Sequence, residues 1–220
     1  MKLTYFNGRG LAETSRVLLA IGGEKYEDFR YPITVLDWSI FKMIRDEFDN
    51  DKKEGKLWKS LDKVPFLEVD GEILFQSKSI ERFLANRYNL LGNSALETGF
   101  IDSICETIRD FKESYQKVRS SITEIKDKVV LEYFNDTLPS QLKSLNNIIK
   151  SKQQVPEFII GNNLSLADVI IFLFLTDFFD DKDSVVKAYE NLDSLKSIVN
   201  NVGNLNSVKN WLQIRPNTPF

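Results

Sequence analysis

Apolar positions follow two different rhythms along this chain, and the change falls near residue 90. At the start, Leu3 and Tyr5 alternate with Lys2 and Thr4, the period-two pattern of a short strand over Lys2–Phe6. Gly8 and Gly10 break it. Leu11, Val17, Leu18 and Ile21 then mark a helix that Gly22-Gly23 ends. A second strand is predicted over Tyr26–Tyr31. The clearest local signal comes later. Apolar runs at Phe66–Val69 and Glu72–Phe75 flank Asp70-Gly71, a pair suited to a tight hairpin turn. Ser77 is expected to cap a helix reaching about Tyr88. The predicted order is β-α-β, a helical or irregular stretch, then β-β-α. The first strand pair would be parallel through a right-handed crossover and the last antiparallel.

From Ser94 on, the period becomes helical. Ser94 and Glu97 have the spacing of a capping box. Ile101, Ile104, Ile108, Phe111, Tyr115 and Val118 then recur at steps of three and four, predicting one long amphipathic helix. Val129–Ile149 repeats the pattern, with an interruption expected at Pro139. Ser165 and Asp168 form a second capping box ahead of Val169–Leu175, a run apolar on all sides and so expected at the centre of its domain. Leu192 to Val202 marks another helix, and Val208, Trp211 and Leu212 the last. The expected fold is α/β plus all-α, with domains at 1–89 and 90–220. Arg45 to Asp62, dense in both charge signs, reads as a mobile loop.

Composition removes whole classes of chemistry. The chain of 220 residues has no histidine, which excludes Ser-His-Asp and Cys-His triads and every histidine-containing zinc site. A single cysteine, Cys105, excludes an intrachain disulfide and a cysteine-only zinc site, so no metal is expected. Beside Ile104 on the long helix, Cys105 reads as a core or flank residue rather than a nucleophile. The net charge of −3 argues against a nucleic-acid partner and gives no reason to expect a membrane. The start lacks a long apolar segment, and Val169–Leu175 is far short of the ~20 residues of a spanning helix. A cytoplasmic location is expected.

Carboxylates, lysines, one thiol and phenols remain. Gly8 and Gly10 stand between a strand and a helix, but Glu13 occupies the third glycine position of a dinucleotide fingerprint, so they read as turn residues. Tyr5 ends the first strand beside that turn. Val64-Pro65 precedes the third strand, where a cis bond would turn the preceding backbone outward. Gln76-Ser77 stands at a helix N-terminus, which favours anions. A phenol, an exposed strand edge and a carboxylate site on one face suit a small acidic peptide.

These residues resemble the glutathione S-transferase family. Three stretches carry the likeness: Lys2-Leu-Thr-Tyr-Phe-Asn7 with Arg9-Gly10 and Ala12-Glu13-x-x-Arg16; Val64-Pro65-Phe-Leu-Glu-Val-Asp-Gly71 with Gln76-Ser77; and Gly161-Asn-Asn-Leu-Ser-Leu-Ala-Asp168 with Asn210-Trp-Leu-x-x-Arg-Pro216. Within the family they are most similar to the sigma class, which includes glutathione-dependent prostaglandin D synthases. The resemblance implies an N-terminal thioredoxin-like domain, βαβ-α-ββα, followed by an all-helical C-terminal domain. It implies Tyr5 as the hydrogen-bond donor to the glutathione sulfur. Trp38, Lys42 and Lys63 would hold the glycyl carboxylate, and the Val64 backbone, ahead of Pro65, the cysteinyl unit. Gln76 and Ser77 would take the γ-glutamyl end, with Asp110 reaching it across a homodimer interface. Ser165 and Asp168 match a structural motif.

The activity implied is conjugation of glutathione, as co-substrate, to small hydrophobic electrophiles. Glutathione-dependent isomerisation or peroxide reduction, or a non-catalytic structural or interaction role, are the alternatives. The electrophile pocket would draw on Phe6, Leu11, Lys117 and Phe220. Many sigma members carry a basic residue at the Leu11 position, and prostaglandin-isomerising relatives an aromatic at the Lys117 position. The segment 45–62 exceeds the usual loop and is expected to form either a flap over the glycyl end of glutathione or a solvated helix extension with no ligand effect.

Overall fold

The computed structural model describes residues 1–37, 42–120, 123–153 and 157–218. The chain divides into two units, Met1–Tyr88 together with Asn210–Phe220, and Asn89–Lys209. The last residues, read from sequence as part of the second domain, therefore group with the first. The reason is local: Trp211 and Arg215 both bond Glu13.

The first unit runs β1 (Lys2–Phe6), α1 (Glu13–Gly22), β2 (Glu27–Tyr31), β3 (Thr34–Asp37), β4 (Lys42–Ile44), α2 (Asp46–Lys53), β5 (Phe66–Val69), β6 (Glu72–Phe75) and α3 (Ser77–Arg87). Four strands make one mixed sheet in the order β2-β1-β5-β6. β1 is parallel to β2 and antiparallel to β5, and β5 is antiparallel to β6. This is the thioredoxin-like arrangement. Asp70 and Gly71 both take positive φ, 52° and 85°, as the tight turn between β5 and β6 requires. One sheet face buries Leu3 and Leu67, paired across β1 and β5, with Leu18 and Ile80 from α1 and α3.

The opposite face carries the main departure from the sequence reading. Tyr31, Phe48, Leu57 and Phe66 form a buried cluster there, with Phe6, Phe29, Val64 and Ile73 packed against it. Arg45 to Asp62 is thus no irregular flap. It contains α2, whose first turn carries Asp46, Glu47 and Asp49 and whose last turn carries Lys52 and Lys53, matching the helix dipole at both ends. The Tyr31 hydroxyl donates to Asp51 at 2.8 Å, and Lys56 donates to the same carboxylate. Two buried apolar residues, Phe48 and Leu57, hold the segment down, while Trp58 is 68% exposed. The hairpin β3–β4, antiparallel with Val35 opposite Met43, adds a second small sheet to the order the sequence predicts.

The second unit is helical: α4 (Ala95–Arg119), α5 (Thr123–Glu132), one π turn (Tyr133–Thr137), α6 (Leu138–Lys152), α7 (Leu166–Thr176), α8 (Lys182–Tyr189), α9 (Asp193–Asn204) and α10 (Asn206–Ile214), whose end counts with the first unit. Every residue of α7 from Leu166 to Leu175 is buried, as its all-round apolarity predicts. Ser165 and Asp168 close a reciprocal capping box, and Asp168 also accepts the Ile159 N–H. At α4, Ser94 caps Glu97, but the Glu97 carboxylate takes the Asn93 N–H rather than that of Ser94. The interruption near Pro139 is the π turn before it, and the proline sits in the first turn of α6. Asp181 caps α8 by accepting the Ser184 N–H. Cys105 is a buried thiol outside any disulfide. No helix among the described residues is long and apolar enough to cross a membrane.

Candidate active site

Sheet register decides which candidate residues meet. Thr4 of β1 opposes Phe66 of β5, so Tyr5 and Phe6 lie beside the residues that lead into β5, Val64 and Pro65. Phe66 in turn opposes Phe75, which brings Gln76-Ser77 to the same sheet end. The Val64–Pro65 bond is cis. One end of the sheet therefore gathers Tyr5, Val64-Pro65 and Gln76-Ser77, three segments far apart in sequence.

Tyr5 is the chemically distinctive group. Its hydroxyl oxygen accepts the Leu11 amide at 3.2 Å. Among the described residues, no acceptor takes the hydroxyl's own proton. Burial pushes the phenol above its ordinary value, against the pull of the Leu11 N–H and the Arg16 charge. The group is therefore a protonated donor at neutral pH, with its oxygen polarised by an incoming hydrogen bond.

The Gly8–Gly10 turn is shaped around this hydroxyl. Gly10 has φ +39°, and a Cβ there would lie 2.7 Å from Tyr5 Oη. Only glycine satisfies both demands. Arg16 supports the turn from below: it is fully buried, and its Nη1 donates to the Gly8 carbonyl at 2.6 Å. Its guanidinium carbon lies 5.9 Å from the Tyr5 ring centroid. Asp28 accepts from Arg16 Nε at 3.2 Å and is shared with Arg30.

At the second corner, Gln76 takes φ 72°, a left-handed conformation uncommon for a residue with a side chain. Gln76 occupies the N-cap position of α3 and Ser77 its first turn, a correction to the reading of Ser77 as cap. No side chain caps this end, so the first amides of α3 face outward at the dipole's positive pole.

The remaining candidates are placed as follows. Lys42 on β4 and Lys63 before β5 are exposed, as are Asp110 and Lys117 on α4. Leu11 is 56% exposed beside Tyr5. Phe6, read as part of the electrophile pocket, instead packs edge-on to Phe48 with centroids 5.1 Å apart, because it alternates to the face opposite Tyr5. Trp38 and Phe220 lie outside the described residues. The sequence reading took Glu13 and Arg16 only as motif letters. Their charges on a helix otherwise buried over Glu13–Leu19 were the signal that they belong to the site's support.

Two family models match the chain: glutathione S-transferase, N-terminal domain, over residues 1–86, and glutathione S-transferase, C-terminal domain, over residues 109–215. The hematopoietic prostaglandin D synthase of Gallus gallus is 31% identical over 217 residues, covering 99% of this chain and 97% of that protein. Glutathione S-transferase 3 of Caenorhabditis elegans is 28% identical over 222 residues, covering 100% and 98%. The crystal structure of a monomeric glutathione S-transferase from the hookworm Necator americanus matches with a TM-score of 0.77 at 25% identity, covering 100% and 98%. With both halves matched and the likeness running the length of the chain, this protein belongs to the glutathione S-transferase family of enzymes.

Proposed function

We propose that this enzyme conjugates glutathione to small hydrophobic electrophiles and that the Tyr5 hydroxyl stabilises the glutathione thiolate. The observation that carries the reading is the Tyr5 hydroxyl itself. It is protonated, polarised by the Leu11 N–H, and has an unspent proton at the sheet end where Val64-Pro65 and Gln76-Ser77 gather.

The energetics suffice without a base. A free thiol of pKa ~8.5 is only a few per cent ionised at pH 7. One hydrogen bond to a charged group is worth about 1.5–3 kcal/mol, or roughly one to two pKa units. A donor held at the sulfur thus turns a large fraction of bound glutathione into thiolate. The sulfur then forms its bond to the electrophilic carbon as the leaving group departs with the electron pair. Histidine has no part in this, consistent with its absence.

The peptide would be held at both ends by charge. Gln76, Ser77 and the α3 amides receive the γ-glutamyl carboxylate, the Val64 backbone pairs with the cysteinyl unit, and Lys42, Lys63 and Trp38 take the glycyl carboxylate. Asp110 of a second subunit reaches the γ-glutamyl amine, which makes the active form a homodimer. Leu11, Lys117 and Phe220 are the candidate electrophile contacts. The motif set is most similar to the sigma class, and the location is cytoplasmic on this reading.

A glutathione-dependent isomerase is the second reading, favoured by the 31% identity to a prostaglandin D synthase. Retention on immobilised glutathione, followed by a panel of an aryl halide, a hydroperoxide and a prostaglandin endoperoxide, tests both. Turnover of the aryl halide supports the transferase; turnover of the endoperoxide alone replaces it with the isomerase. Failure to bind glutathione overturns both. Sedimentation at micromolar concentration giving an active 25.4 kDa monomer would remove Asp110 from the site.

A further inference from the structure

The C-terminal segment holds one end of a run of contacts whose other end is the Tyr5 hydroxyl. Trp211 and Arg215 stand four residues apart, and the Arg215 N–H donates to the Trp211 carbonyl at 2.8 Å. That spacing puts both side chains on one helix face. Both donate to the same oxygen of Glu13, Trp211 Nε1 at 2.9 Å and Arg215 Nη1 at 2.8 Å to Oε1. Glu13 is 4% exposed, and its other oxygen, Oε2, faces Arg16 Nη1 at 3.6 Å. The same Arg16 nitrogen donates to the Gly8 carbonyl at 2.6 Å. Gly8 opens the turn that delivers the Leu11 amide to Tyr5 Oη.

The geometry implies a competition. A buried carboxylate oxygen without a donor is costly, so Glu13 must satisfy Oε1 somewhere. With Trp211 and Arg215 on Oε1, Arg16 is free to spend Nη1 on the Gly8 carbonyl. Without them, Arg16 is the cation nearest to Glu13: its Nη2, which has no hydrogen-bond partner among the described residues, is drawn toward the carboxylate, and the rigid guanidinium carries Nη1 away from the Gly8 carbonyl with it. The turn then loses its buried support, and with it the placement of the Leu11 N–H.

We infer that Trp211 and Arg215 are positioning residues for Tyr5: by occupying Glu13 Oε1 they keep Arg16 on the Gly8 carbonyl and so set the hydrogen bond from Leu11 to the Tyr5 hydroxyl. The catalytic consequence rests on the role proposed above for Tyr5; the positioning itself does not. Supporting contacts of this kind decide whether a reactive group sits within a fraction of an ångström of its working geometry.

The test uses the full chain in two parts. The first needs no ligand: amide hydrogen exchange of Leu11 in wild type, Tyr5→Phe, Trp211→Phe and Arg215→Lys. Trp211→Phe removes the N–H without changing charge, which matters because Arg16 pairs with Glu13 and Asp28, which are themselves shared with Arg215 and Arg30. Tyr5→Phe and Trp211→Phe should each speed Leu11 exchange several-fold and leave Leu3 in β1 unchanged, with Arg215→Lys intermediate. The second part reads the thiol pKa of bound glutathione. Trp211→Phe should raise it by about half to one unit, the worth of one neutral hydrogen bond. In a Tyr5→Phe background the same substitution should add nothing.

Unchanged Leu11 exchange in folded Trp211→Phe and Arg215→Lys would overturn the inference and leave these residues as plain stabilisers. An equal thiol shift in both backgrounds would overturn the route through Tyr5. Absence of glutathione binding by wild type would instead defeat the role proposed for Tyr5, and Leu11 exchange would still decide the positioning.

Discussion

The Leu11 amide donates to the Tyr5 hydroxyl across 3.2 Å, so a backbone group supplies the polarisation that this site needs. The Leu11 side chain adds no charge and is 56% exposed. On the role proposed for Tyr5, thiolate stabilisation falls more heavily on this phenol than it would with a cation beside it.

Placing a cation there should change the balance. Leu11→Arg costs little packing, because the side chain is largely in solvent. It is expected to lower the thiol pKa of bound glutathione and raise conjugation at neutral pH, by less at high salt. Thiolate absorbance against pH checks this, and an unchanged pKa would place position 11 away from the sulfur.

Gly10→Ala should damage activity out of proportion to stability. The new Cβ would meet Tyr5 Oη at 2.7 Å in a backbone with φ +39°. Stability should fall by about 1 kcal/mol or more, while kcat falls further because the phenol is displaced. Paired urea unfolding and steady-state rates separate the two effects. A loss of rate no larger than the loss of folded protein would contradict the crowding.

Phe48→Ala should cost about 3–5 kcal/mol. Phe48 is 4% exposed and joins Tyr31, Leu57 and Phe66 in the buried cluster. Its α2 amides should be protected from exchange without any ligand. Rapid exchange throughout 46–53 in the free enzyme would restore the flap reading.

The Ser165–Asp168 box predicts a pH-dependent stability. Burial pushes the Asp168 carboxyl up to about 7, against hydrogen bonds from Ser165 and Ile159. Between roughly pH 4 and 7 the folded state holds a proton that the unfolded chain has released. The stability this adds is complete below about pH 4 and is lost as pH rises through about 7. Asp168→Asn keeps one carbonyl oxygen where the carboxylate serves Ile159 and Ser165 with two, so it should be less stable than wild type. That gap should narrow between about pH 5 and pH 8 in urea midpoints. Ser165→Ala should cost about 0.5–2 kcal/mol.

Local patterning made much of this fold legible. The period-two start, the Asp70-Gly71 turn and the all-apolar α7 each carry a signal within a few residues. α2 could not be told from a flap because one buried aromatic, Phe48, amid six charged residues of the helix gives no helical stripe; its partners Tyr31 and Phe66 are distant in sequence. α8 escaped for a similar reason: it buries only Val185 and Tyr189, and its cap is the bond from the Ser184 N–H to Asp181. For the site, Tyr5 and the Val64-Pro65 and Gln76-Ser77 segments were legible as a motif. The support for Tyr5 was not, because it is built from a backbone amide and from Trp211 and Arg215, nearly the whole chain away from Glu13.

The role of Tyr5 is tested most directly by the ultraviolet absorbance of the thiolate in bound glutathione, followed against pH in wild type and Tyr5→Phe. The carboxylate contacts remain in the variant, so glutathione affinity should stay within about a few-fold. The thiol pKa should rise by roughly one to two units, back toward that of free glutathione, and conjugation near neutral pH should fall by about tenfold or more. A Tyr5→Phe enzyme that binds glutathione with the same thiol pKa as wild type would contradict the account.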